Sequence, residues 1–302
     1  MERKIIQLGN DTFVVSLPSV WVKHHKLKKG DGLEVEEEGP KLVIFPKSEA
    51  KPGKAVVDVS GTQPVTKRIV AALYKAGYDE VEITFKSPEE LETIERTIRD
   101  EFVGFEIMSK TKQTLTAKII SQSVHEEFET LLRRVFLLLL EMGSECFKAV
   151  NSGELGELQS VADMDININR YVNFCRRTLN VIGHRVVGKV APTYYLVEQL
   201  ERVGDCYKYL CVALSKSRLV PSTALKNLLA DANFIVRRFY ELYYSFSLQG
   251  LAEFWKEKER VGKNMAEAFE SAKERELHAM FLVSEIVNNM AVANGALLTA
   301  KL

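Results

Sequence analysis

The hydrophobic pattern of this chain changes character twice. Up to residue 46 it is short and alternating, which predicts strand, strand, short helix, strand, strand: residues 4–9, 13–18, a helix of about two turns over 19–27 opened by a Ser19 cap, then 33–36 and 42–45 around Gly39-Pro40. Asn10-Asp11-Thr12 and residues 28–32 read as turns, and residues 48–54 as a linker. The next stretch mixes both periods. It predicts a strand over 55–60, a helix over 64–76 ended by Gly77, and a strand over 81–85. A helix over 88–102 follows, capped by Ser87 with Glu89 and Glu90 in its first turn, and then strands over 105–109 and 114–120. That order, β-α-β-α-β-β, is a small α+β layer with its helices on one face of the sheet. It contains no glycine-rich phosphate loop and no catalytic constellation, so a spacer or dimerisation role is expected.

From Val124 onward the apolar residues recur at steps of three and four. Val124, Phe128, Leu131, Leu132 and Val135 begin a stripe that widens over residues 135–140 into a helix buried nearly all round, with Gly143 inside it. Asn151-Ser152-Gly153 marks a turn. A second seam runs through Leu158, Val161, Asp165, Ile168, Val172, Cys175, Leu179 and Ile182. Gly183 and Gly188 break the chain, and Pro192 suits the first turn of a third helix. That helix carries Leu196, Leu200, Val203, Tyr207, Leu210 and Leu214. After a break at Pro221, helices over 225–246 and 255–269, separated near Gly250, lead to a last seam at Leu277, Met280, Ser284, Val287, Ala291 and Asn294. A three-helix unit therefore occurs twice, over 122–217 and 220–302.

Two features on these helices carry chemistry. Glu201 and Asp205 flank the third seam four residues apart, so both carboxylates leave consecutive turns in one direction. Asp165 lies within the second seam and needs a partner if it is buried. Folding the two helices back on each other brings Asp165 and Asn169 to about the level of Glu201 and Asp205, within roughly one turn of 5–6 Å. Asp165, Glu201 and Asp205 are therefore the candidate oxygen ligands for one weak metal site. Glu285 and Asn289 echo the pair in the second unit with one acid fewer.

The run Val161-Ala-Asp-Met-Asp-Ile-Asn-Ile-Asn169, the run Glu201-Arg-Val-Gly-Asp205 and the duplicated three-helix unit resemble the PhoU phosphate-uptake regulators over residues 122–302. The resemblance implies two three-helix bundles, acidic motifs that in some members hold iron or another metal, and contact with a phosphate transporter or its sensor kinase. Asn169 and Asn289 replace an acid of each motif, and residues 256–263 match the pattern poorly.

Residues 3–46 are too few to bury a stable core alone, so they are expected to pair with a second copy. The run Val14-Val-Ser-Leu-Pro-Ser-Val-Trp-Val22 followed by Leu27-Lys-Lys-Gly-Asp31 resembles the AbrB/MazE/SpoVT swapped-hairpin family. That resemblance implies two chains interleaving hairpins, in a dimer of a kind that commonly binds DNA. Lys23, Lys26, Lys28 and Lys29, with His24 and His25 among them, form a basic segment that meets no acid before Asp31. With Arg3 and Lys4 they are the candidate phosphate contacts.

Composition changes this picture little. The 302 residues carry 41 Lys+Arg against 41 Asp+Glu, which argues against coating nucleic acid in bulk but leaves room for a local basic patch. Cys146, Cys175, Cys206 and Cys211 sit in apolar helical contexts without a Cys-x-x-Cys pair and read as reduced core residues. His125, His184 and His278 are isolated from one another. Met1-Glu-Arg-Lys4 leads directly into alternating residues, and the apolar run at 135–140 is too short to span a bilayer. A cytoplasmic protein that is not an enzyme is expected: multidomain and mainly α, with a β-rich swapped-hairpin domain (1–47), a small α+β middle domain (53–121) and a six-helix body (122–302).

Overall fold

The computed structural model describes residues 2–9, 11–38, 41–46, 53–120, 124–182, 189–216 and 220–302. The turn at Asn10, Gly39-Pro40, most of the 48–54 linker, the break at Gly183 and Gly188, and His184 lie outside the described residues. The chain divides into two compact units, residues 1–52 and 53–302.

The first unit is two hairpins and a short helix. β1 (Ile6–Leu8) pairs antiparallel with β2 (Thr12–Val14), and β3 (Leu33–Glu38) with β4 (Lys41–Pro46). Between them lies α1 (Ser19–His24), shorter than the two turns expected. Ser19 is its first helical residue and not its cap. Pro18 holds the N-cap position, with no side-chain hydrogen bond there. Lys28 N–H donates to Asp31 Oδ2 at 2.7 Å and closes the Lys28–Asp31 turn. In this unit Pro46 is buried, while Ile5, Ile6, Leu8, Phe13 and Val20 are all exposed.

The second unit opens with the expected α+β layer. β5 (Lys54–Asp58), β6 (Glu80–Thr84), β7 (Phe105–Lys110) and β8 (Thr114–Ile119) form one sheet in the order β5-β6-β8-β7. β5 and β6 run parallel and the other pairings are antiparallel, with an irregularity between Ile107 and Ser109. Val81, Ile83, Leu115 and Ala117 point to one face, where they share a core with Val70, Ala71, Tyr74, Ile94 and Ile98 of α2 (Thr66–Ala76) and α3 (Pro88–Glu101). Gly77 ends α2 at φ 99°, a conformation in which a Cβ would clash with the backbone. Ser87 and Glu90 form a capping box at the start of α3. The Glu90 carboxylate also accepts from Gly61 and Lys86 N–H at 2.5 and 2.8 Å, fastening the β5–α2 loop to α3.

The helical body comprises α4 (Val124–Ser152), α5 (Leu158–Asp163), α6 (Asp165–Ile182), α7 (Val190–Lys216), α8 (Thr223–Tyr244), α9 (Leu248–Glu270) and α10 (Leu277–Lys301). The second expected helix is thus two, broken at Met164 and preceded by a 3-10 turn at Leu155–Glu157. The fifth begins seven residues earlier than its apolar pattern suggests. Ser247 caps it by accepting from Gly250 N–H at 2.9 Å, so Gly250 lies in its first turn and not in a gap. α4 packs against α6, α7 and α8, while α7 runs along α10. Length and composition alone would let α10 cross a membrane; here Met280, Val283, Ile286, Val287, Met290 and Leu297 are fully buried and it is a core helix. All four cysteines are free, and Cys146, Cys175 and Cys211 are buried.

The α+β layer and the helical body have separate apolar cores, and a polar ridge on α6 joins them. Arg170 Nε donates to Phe102 O at 3.2 Å and Asn173 Nδ2 to Glu101 O at 3.4 Å, at the end of α3. Arg177 donates to Tyr74 O and Tyr78 O at 3.0 and 2.8 Å and to Asp79 Oδ1 at 2.7 Å. Asn180 Nδ2 reaches Lys75 O at 2.8 Å. One face of α6 therefore donates to carbonyls at and just past the C-terminal ends of α2 and α3, where the helix dipoles favour cations. The alternate face, at Ile168, Val172, Cys175 and Leu179, enters the helical core.

Candidate functional site

The three candidate ligands divide into two ion-paired groups. Asp165 opens α6 beside the break at Met164 and is 2% exposed. Gly204 of α7 lies opposite. A Cβ there would come within 3.2 Å of Ile168 and 3.3 Å of Asp165 Oδ1, so this glycine lets α6 approach closely. Asp165 Oδ2 accepts from Lys208 Nζ at 2.7 Å and from Asn169 Nδ2 at 2.8 Å. Lys208 Nζ also lies 3.0 Å from Asp205 Oδ1. Asp165 and Asp205 are thus brought together, as the folding-back of the two helices implies.

Glu201 is not part of that group. The buried Arg176 guanidinium pairs with it and, at 2.7 Å, with Glu198. Burial pushes the Asp165 carboxyl up, and Lys208 opposes that shift. The two carboxylates hold the Lys208 ammonium above its ordinary range against its own burial. Among the described residues no group of three or more His, Cys, Asp or Glu side chains is placed to hold a metal ion. Lys208 stands between Asp165 and Asp205 while Arg176 draws Glu201 away toward Glu198, so the three candidate carboxylates do not converge on one ion. In the second repeat Asn289 is buried and donates to Cys206 Sγ at 3.8 Å, while Glu285 meets Asn288 Nδ2 of its own helix at 3.5 Å. Burial, aided by the Glu285 carboxylate, pushes the Cys206 thiol up to about 12.

A cleft of about 450 Å³ opens between α3 and the α5–α7 group. Asp165, Asn169 and Lys208 line it, with Thr93, Arg96 and Thr97 facing from the α+β layer.

The basic candidates lie in the first unit. Arg3 and Lys4 precede β1 and are exposed. Lys23 is in the last turn of α1, and Lys26, Lys28 and Lys29 follow it, all exposed. Leu27 N–H donates to Val22 O and Lys26 N–H to Lys23 O, at 3.0 and 3.1 Å, which closes α1 as a Schellman turn. No ion pair links any of these six cations to another described residue. The ring of His25 lies 4.8 Å from that of Trp21 and 5.0 Å from that of His24.

Residues 6–52 match the family model described as antidote-toxin recognition MazE, bacterial antitoxin. The MazE-like match coincides with the first compact unit and supports its reading as a swapped-hairpin domain. No curated protein and no solved structure matches the chain. The resemblance of residues 122–302 to PhoU proteins has no match of its own.

Within the MazE-like unit the backbone adds a signal that composition does not carry. Lys26 has φ 53°, the left-handed position that glycine usually fills in such a turn. A lysine there costs on the order of 1 kcal/mol against glycine. Of the two partners of Asp165, Asn169 stands four residues on and was in view, whereas Lys208 was hidden. Lys208 lies three residues beyond Asp205, and its spacing to an aspartate 43 positions upstream has no meaning until the helices pack.

Proposed function

We propose that this protein is a homodimeric DNA-binding regulator of phosphate uptake. Two MazE-like units form the DNA-binding surface, and the helical body is a PhoU-like sensor. The observation that carries this reading is the first unit itself. It matches a swapped-hairpin family, buries almost nothing in one chain, and presents Arg3, Lys4, Lys23, Lys26, Lys28 and Lys29 to solvent. A second copy covers the apolar side chains and doubles the cations, which gives a phosphate-contacting surface. The α6 ridge fixes the α+β layer to the sensor body, so a change in α6 is felt directly in that layer.

A gel-shift titration against promoters of phosphate-transport genes, repeated across salt, tests the proposal. Changing Lys23, Lys26, Lys28 and Lys29 to alanine weakens binding. It also flattens the slope of log affinity on log salt by about 0.9 for each phosphate that is no longer neutralised. An unchanged slope means that the segment does not meet the phosphate backbone. Absence of binding at low salt favours the second reading, an adaptor that dimerises through its first unit and contacts a phosphate transporter or its sensor kinase.

A further inference from the structure

We propose that the Lys208 ammonium is the resident cation of the acidic site between α6 and α7, holding the position a metal ion would otherwise take, so that the helical body folds without a bound metal. Asp165 is nearly fully buried and carries charge into the body of the protein. A buried carboxylate persists only with a compensating positive group and hydrogen bonds. Lys208 supplies both to Asp165 Oδ2, at 2.7 Å, and lies 3.0 Å from Asp205, so it joins carboxylates of two different helices as a bridging cation would; Asp165 Oδ1, packed toward Gly204, has no partner among the described residues. An ion ligated by the same two oxygens at about 2.0–2.6 Å competes with Nζ for the gap between them.

The surrounding groups are arranged for an ammonium as well. Asn169 turns its amide nitrogen to Asp165 and acts as a second donor to that carboxylate, where a metal ligand would offer an oxygen. Glu201, the third acid, is drawn to Arg176 together with Glu198. Lys208 remains part-exposed beside the cleft, so it reaches Asp165 without losing all of its hydration.

Elemental analysis of the full chain purified without chelator, combined with thermal unfolding in EDTA and in manganese(II), tests this. The wild type is expected to carry substoichiometric metal and to melt at one temperature in all three conditions. Lys208→Met melts lower, and manganese(II) restores part of the loss because the two carboxylates are then free to ligate it. Adding Asp165→Asn to Lys208→Met recovers stability without metal and abolishes the response to manganese. If Lys208→Met does not fold, the double variant still folds. A stoichiometric metal in the wild type, a wild-type melting temperature lowered by EDTA, or a Lys208→Met that melts like the wild type overturns the proposal.

Discussion

In the second unit Phe128, Phe136, Phe239 and Phe254 are 0–1% exposed; in the first, Phe13 and Val20 stand 65% and 78% exposed. The same residue types are treated oppositely because the two units differ in how much chain surrounds them. Residues 53–302 supply a four-stranded sheet and the helices α2 to α10 to close two cores, whereas residues 2–46 supply two hairpins and six helical residues. The first unit is too small to enclose its own apolar side chains, and on the proposed function a second copy supplies its interior. The second unit reaches its stability within one chain, and its weak point is the polar seam between its two cores. In the proposed dimer the exposed apolar residues are where the copies meet, and the buried charges of α6 are where two parts of one chain are fastened.

The largest effect is expected from Phe13→Asp in the full chain. Each copy loses the burial of a phenylalanine, about 1.5–3 kcal/mol, and gains a carboxylate that must be desolvated on association. With both copies affected, dimerisation weakens by about a thousandfold or more. Light scattering should show a monomer whose helical content is unchanged, and DNA binding should fall with the dimer. A variant that remains dimeric would remove the contrast between the units.

A smaller loss, about 3 kcal/mol, is expected from Arg177→Ala, which removes the side-chain donor from the Tyr74 and Tyr78 carbonyls and leaves Asp79 without its cation. Denaturant unfolding measures the loss. Limited proteolysis should cut the α+β layer ahead of the helical body, because the ridge and not a shared apolar core holds them together. Wild-type stability would show that the seam is not the fastening.

The third effect is alkaline, where burial raises tyrosines in both cores, Tyr74 in the α+β layer and Tyr207, Tyr243 and Tyr244 in the helical body. Burial raises the Tyr74 hydroxyl to about 12 from an ordinary 10.0, within the α+β core. The unfolded chain releases that proton first, so the group's contribution to stability is intact below about 10 and is lost as pH rises toward about 12, to an extent of roughly 2–3 kcal/mol. Tyr74→Phe should flatten this alkaline decline for the α+β layer. The variant also gives up the bonds between Tyr74 and the Val103 backbone, so it starts from a lower stability near neutral pH. An alkaline decline of unchanged steepness would assign the lability elsewhere.

The sequence by itself determined what closes within a few residues. Gly77 at the end of α2, the Ser87 cap of α3 and the β-α-β-α-β-β order were legible because caps, turns and alternation are local. The meeting of Asp165 with Asp205 was legible too, since two adjacent seams joined by a short break fold back at a predictable level. Only the tertiary structure decided which charge answers which. The ridge at Arg170, Asn173, Arg177 and Asn180 has helical spacing, yet nothing in that spacing says that it faces the ends of α2 and α3 about 70 to 100 residues upstream. Period tells which face of a helix is buried, but not against what. The break at Met164 and the early start of α9 at Leu248 also escaped, the latter because Gly250 reads as a break in sequence although it lies inside the first turn capped by Ser247. Lys208 escaped for the deepest reason. A cation three residues from an aspartate is ordinary on any helix surface, and it becomes the partner of a buried carboxylate only when packing removes the water that would otherwise serve both.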